Sequence, residues 1–100
     1  MTTIVTTEPF TTALDEAKSL VYGNRNKDYG HPAEDMKRTA QMWSAVLGTE
    51  VSALQVALCM ACVKISREMN AHKQDNLVDL AGYAEVASRI MRYEQGIEPN

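Results

Sequence analysis

The segment from Ser52 to Ile65 constrains this chain most. Leu54, Val56, Ala57, Leu58, Met60, Ala61, Val63 and Ile65 leave it almost no polar face, and a helix that is apolar all round has to be covered on several sides. Its most apolar stretch, Val56 to Val63, stops at Lys64, well short of the roughly 20 residues a membrane span needs. The segment is therefore core. Ser52 followed by Gln55 is a capping-box signature that sets the start of the helix. Three short neighbours cannot easily cover it, and wet apolar surface costs ~25 cal/mol per Å², so a homo-oligomer, most simply a dimer, is expected.

The rest of the chain reads as three more helices around it. Residues 1–11, rich in threonine and carrying Pro9, read as an extended or mobile arm. From Thr12, Leu14, Ala17, Leu20 and Val21 form one stripe, Thr12 with Asp15 resembles a cap, and Gly23 closes the run. Between Gly23 and Pro32 turn formers are dense, which predicts a structured loop. Pro32 suits the first position of a second helix, Glu34 and Asp35 its first turn, and Met36, Ala40, Trp43 and Leu47 its buried stripe, ending at Gly48. After a short link over Asn70 to Gln74, the last helix starts near Asp75, with Leu77, Leu80, Ala81, Ala84, Ala87 and Met91 as its core stripe, and frays before Gly96. The domain thus covers 12–95, with 96–100 as a tail. No alternating strand pattern competes, so the fold class is all-α, a four-helix bundle.

Composition narrows the function. A hydrophobic fraction of 45% in 100 residues supports one compact core without disulfides. The net charge of -3 argues against an extended nucleic-acid surface, so any anion site is local. The first residues carry no basic region or long apolar segment, so nothing there reads as a secretory signal, and a cytoplasmic location is expected. Cys59 and Cys62 sit inside the most apolar helix, where cysteine packs as a small hydrophobe. The alternative is a metal site completed by His31 and His72, although these lie at helix ends in separate segments.

Charge returns where the core ends. Lys64, Arg67 and Glu68 are spaced three and four apart on one face, and Asp75 and Asp79 share a face of the next helix with Gly82. A short link makes consecutive helices antiparallel, which would bring two cations to two carboxylates. One reading is a salt-bridge network, Lys64 with Asp79 and Arg67 with Asp75. The other gives Lys64 and Arg67 to a phosphate, with Asp79 and Asp75 orienting them, contacting a sugar or base, or binding a metal. It is favoured because desolvating four charges is expensive. Arg25, Lys27, Tyr29 and His31 of the loop combine cations with an aromatic face suited to a base and a phosphate; otherwise they form a solvated turn with Tyr29 packed on Trp43. Tyr83, four after Asp79, can reach the same pocket. Trp43 reads as core before base platform. Phosphate-loop, dinucleotide-binding, nucleophile-elbow and zinc-protease motifs are absent.

The stretch Arg25-Asn-Lys-Asp-Tyr-Gly-His-Pro32, then Trp43, Lys64-Ile-Ser-Arg67 and Asp75-Asn-Leu-Val-Asp-Leu-Ala-Gly-Tyr83 resembles, over residues 20–90, a family of small bacteriophage and prophage proteins. The last block is also similar, more distantly, to the final catalytic helix of the MazG-like all-α nucleotide pyrophosphohydrolases, with Asn76, Asp79 and Tyr83 in the places of an acid, an aspartate and a tyrosine. That resemblance implies a MazG-like bundle, which the uncovered apolar surface of the third helix would complete by homo-oligomerisation, and it carries magnesium-holding glutamates to the region of Lys64 to Glu68. There Glu68 is the only carboxylate, and Asn76 replaces an acid. Two nearby cations repel magnesium, whereas the same residues can still grip a phosphate.

Three functions follow. The favoured one is non-catalytic binding of a nucleotide or nucleotide-derived signal, needing no cofactor, through Lys64, Arg67, Arg25, Tyr29, His31 and Tyr83, with Asp75, Asp79 and Glu68 orienting. The second is a magnesium-dependent nucleoside triphosphate pyrophosphohydrolase using Asp75, Asp79, Glu68 and Glu34. The third is an interaction module for a host protein, with the charge cluster structural.

Overall fold

A computed structural model describes residues 11–98, and among them every regular element is helical. The helices are α1 (Ala13–Tyr22), α2 (Asn24–Tyr29), α3 (Pro32–Leu47), α4 (Ala53–Asn70) and α5 (Gln74–Glu94). The expected arm lies, apart from Thr11, outside the described residues. No described helix is long and apolar enough to cross a membrane.

Local signals set most of the boundaries. The Thr12 hydroxyl accepts from Asp15 N–H at 3.1 Å and starts α1. Pro32 opens α3 behind His31, whose Nδ1 accepts from Ala33 N–H at 3.0 Å. Gly48, at φ 69°, closes α3 with its N–H on Ser44, a left-handed cap that other residues adopt at a cost. The capping box of α4 is complete: Ser52 accepts from Gln55 N–H at 3.1 Å, and the Gln55 side chain accepts from Ser52 N–H at 2.9 Å.

The stretch between Gly23 and Pro32, expected as a loop, instead coils into α2 and ends at Gly30, φ 78°. Turn propensity is overridden by tertiary contacts, because Arg89 of α5 donates to Asn26 Oδ1 at 2.8 Å and to the Val21 carbonyl at 3.4 Å. Gly23 permits the junction, since a Cβ there would stand 2.4 Å from the Ser19 carbonyl oxygen.

The core gathers Val21, Ala33, Met36, Ala40, Ala53, Val56, Ala57, Val86 and Ile90, with Trp43 and Tyr83 packed against it. Trp43 is thus half-buried against the core. The helix α5 packs on α1, α3 and α4 and organises the bundle. Its inward face differs from the expected stripe: Asn76, Val78, Val86, Arg89 and Ile90 are buried, whereas Leu77, Ala84 and Met91 are exposed. Two polar residues point inward, and a stripe drawn through apolar residues alone came out rotated. Similarly, α4 buries only Ala53, Val56 and Ala57 fully. Its opposite side leaves Leu58, Ile65 and Met69 exposed, and Cys59 and Cys62, expected to pack in the core, are exposed too.

Candidate functional site

A cleft of about 370 Å³ opens where α1 and α2 meet α4 and α5. Its floor is apolar, from Ala17, Val21, Val78 and Val86, and its polar rim is Arg25, Asp28, Tyr29, Lys64, Asp79 and Tyr83. The three-residue link between α4 and α5 returns the chain so that Lys64 Nζ stands 2.9 Å from Asp79 Oδ2, with the lysine side chain only 15% exposed and the aspartate 37%. The pair is half sheltered, and Lys64 is held by it at the mouth of the floor. Across the cleft the Arg25 guanidinium lies over the Tyr29 ring, 5.1 Å from its centroid, a cation–π contact that orients the planar group without consuming its N–H donors. Among the described residues Arg25 makes no ion pair. Gly82 lines the cleft where α1 crosses α5, and a Cβ there would meet only Val21 Cγ2 at 3.7 Å.

Five residues singled out from the sequence therefore converge: Lys64, Asp79, Arg25, Tyr29 and Tyr83. Arg67, Asp75, Glu68, Glu34, Lys27 and His31 do not line this cleft. Arg67 and Asp75 are exposed, and among the described residues they form no ion pair with each other. Glu68 accepts from Lys73 N–H at 3.0 Å and Asn76 Nδ2 at 3.1 Å and contacts His72. The His72 contact, then the Lys73 amide, hold its carboxyl below the usual range. It closes the α4–α5 link in place of a metal ligand. Glu34 accepts from the Tyr93 hydroxyl at 2.9 Å. Among the described residues, no three His, Cys, Asp or Glu side chains converge as a metal-holding set. Tyr29 is exposed rather than packed on Trp43.

His31 is instead buried in a network centred on Glu98. Because its Nδ1 accepts from a backbone amide, the ring proton is on Nε2, which donates to Glu98 at 2.8 Å. Arg89, itself buried, donates to the same carboxylate at 2.6 Å, and Arg92 Nε donates to its other oxygen at 3.0 Å. Burial raises the Glu98 carboxyl, but the bonds from Arg89, His31 and Arg92 outweigh it and bring the carboxyl down to about 2. Arg92 also reaches the Tyr22 hydroxyl and Glu85. Through Asn26 and the Val21 carbonyl, Arg89 holds α2, and hence Arg25 and Tyr29, over the cleft. A signal in the sequence is that Arg89 lies three after Val86 and next to Ile90, two apolar residues four apart that could mark a buried face.

A wider hollow of about 740 Å³ between α3 and α5 carries Glu34, Glu50 and Glu94 against Lys37. Its size exceeds that of the cleft, but its charge is wrong for an anion.

The chain belongs to the family described as a domain of unknown function (DUF6378), whose model matches residues 12–91. It is similar to the Gene 55 protein of Mycobacterium phage D29, 42% identical over 86 residues, which cover 85% of this chain and 56% of that protein. It is also similar to the Gene 55 protein of Mycobacterium phage L5, 38% identical over 90 residues, covering 83% of this chain and 58% of that protein. The chain thus spans somewhat more than half the length of these curated relatives, and both are bacteriophage proteins. No solved structure matches it.

Proposed function

We propose that the cleft binds a nucleotide or nucleotide-derived signal on a MazG-like helical scaffold, without hydrolysing it, as a phage product in the host cytoplasm. The observation that carries this reading is the pairing of a sheltered lysine with an arginine that makes no ion pair among the described residues, over an apolar floor: Lys64 held at 2.9 Å by Asp79, and Arg25 lying over the Tyr29 ring. A phosphate suits such a fork and point charge, the floor and the tyrosines suit a base, and about 370 Å³ lies within the roughly 300–1,000 Å³ of small-molecule sites. The cations assigned to the phosphate are thus Lys64 and Arg25, with Arg67 outside. Calorimetry against mononucleotide, dinucleotide and cyclic nucleotide panels, with and without magnesium, tests the reading. Binding that needs no metal and falls at least about tenfold in Lys64→Met and Arg25→Ala supports it, and no heat from any member of the panels removes it.

A homo-oligomer belongs to the same proposal. Leu58, Cys62, Ile65 and Met69 follow one another at spacings of four, three and four on the exposed side of α4, the repeat of a helix-pairing seam. A second copy of α4 would cover it. Light scattering of the full chain should give a dimer mass that Ile65→Lys reduces to a monomer, and a monomeric parent chain refutes the seam.

A further inference from the structure

We propose that the cleft selects a nucleotide with a single phosphate group and discriminates against the triphosphate. This rests on the cleft being a nucleotide site and adds which charge state it accepts. The rim carries two cations, Arg25 and Lys64, and two carboxylates, Asp28 and Asp79, so its formal charges cancel. One cation is already neutralised, since Lys64 Nζ lies 2.9 Å from Asp79. Arg25 alone among them has no carboxylate partner within the described residues, and the Tyr29 face under it leaves its N–H edge available. One planar guanidinium with one ion-paired ammonium matches a single phosphate, held by a two-pronged bond and a point charge.

Each further phosphate would bring negative charge beside Asp28 or Asp79, in a cleft whose apolar floor weakens water's screening. Proteins that accept a triphosphate offset that charge with a divalent ion on carboxylates or with further cations. Outside the rim, the further carboxylates and the cation singled out from the sequence do not supply this. Glu68 is bonded to the Lys73 amide and Asn76, Glu34 to Tyr93, and Arg67 does not line the cleft. The carboxylates that repel a polyphosphate are also the acceptors that sugar hydroxyls or a base amino group would find, so they favour the nucleoside end and oppose additional phosphates together.

The test is calorimetry of the full chain with the 5′-mono-, di- and triphosphates of adenosine, guanosine, cytidine, uridine and thymidine, in chelator and again in magnesium. For the best-bound base the monophosphate should bind about tenfold or more tighter than the triphosphate. Asp28→Asn combined with Asp79→Asn should narrow that gap to within about threefold by raising triphosphate affinity. Asp28→Asn alone, at an exposed position, should narrow it in part, with circular dichroism confirming the fold. A triphosphate that binds as tightly as the monophosphate, or a gap unmoved by both variants, overturns the selectivity and leaves the nucleotide site standing. Absence of heat from all these compounds overturns the selectivity, and the nucleotide site falls with it when the cyclic nucleotides and dinucleotides also give none.

Discussion

Replacing Glu98 by glutamine tests the network that holds α2 over the cleft. The carboxylate receives Arg89 Nε at 2.6 Å, His31 Nε2 at 2.8 Å and Arg92 Nε at 3.0 Å. Removing one member of a buried ion pair costs about 3–5 kcal/mol, because the other charge is left uncompensated. Two features reduce the cost. Arg89 keeps Asn26 Oδ1 at 2.8 Å and the Val21 carbonyl, and the glutamine oxygen still accepts. We therefore expect a loss of about 2–3 kcal/mol at pH 7, or roughly 10–20 °C in melting temperature for a domain of this size. The sign with pH follows from the carboxyl standing at about 2 in the fold against 4.5 outside it. A depressed carboxylate stabilises fully above its unfolded value and ceases to do so as pH falls through the folded one. The gap in melting temperature between parent and variant should therefore be constant above about pH 5.5 and close progressively from about 4.5 toward 2. Thermal melts by circular dichroism across pH 2.5 to 8, on the ~one-unit scale of such titrations, decide the matter. A gap below about 0.5 kcal/mol at pH 7, or one that persists unchanged in acid, refutes the reasoning.

Three further changes probe the helix junctions and the cleft. Gly23→Ala sets a Cβ 2.4 Å from a backbone carbonyl, so the α1–α2 junction must shift; a destabilisation of about 1–3 kcal/mol and weaker nucleotide binding are expected in melts and calorimetry. Ser52→Ala deletes the hydroxyl that accepts from Gln55 N–H and should cost about 1 kcal/mol by denaturant unfolding. Arg67→Ala removes an exposed charge outside the cleft and should leave nucleotide affinity within about twofold; a tenfold loss, on the ~1.4 kcal/mol scale, would return Arg67 to the site.

The starts and stops of the long helices were legible because caps are local. Ser52 with Gln55, Thr12 with Asp15, Pro32 and Gly48 each act within one turn of themselves, and the bundle class follows from the apolar period. The meeting of Lys64 with Asp79 was legible as well, since a short link leaves consecutive helices antiparallel and Lys64 lies a few residues before it, Asp79 a few after.

What the tertiary structure decided is rotation and distance. A helix turns about 100° per residue, so a stripe traced through Leu77, Ala81 and Ala84 could be displaced once Asn76 and Arg89 proved to be inside. The same rotation put Cys62 outside and left Arg67 exposed and off the cleft lining. The fold of Gly23 to Gly30 into α2 depends on Arg89, some sixty residues away in sequence. Arg25 entered the cleft for that reason, and only packing brings together partners so far apart along the chain. Local hydrogen bonding wrote the helices into the sequence, while burial of a few charged side chains chose which faces of those helices form the site.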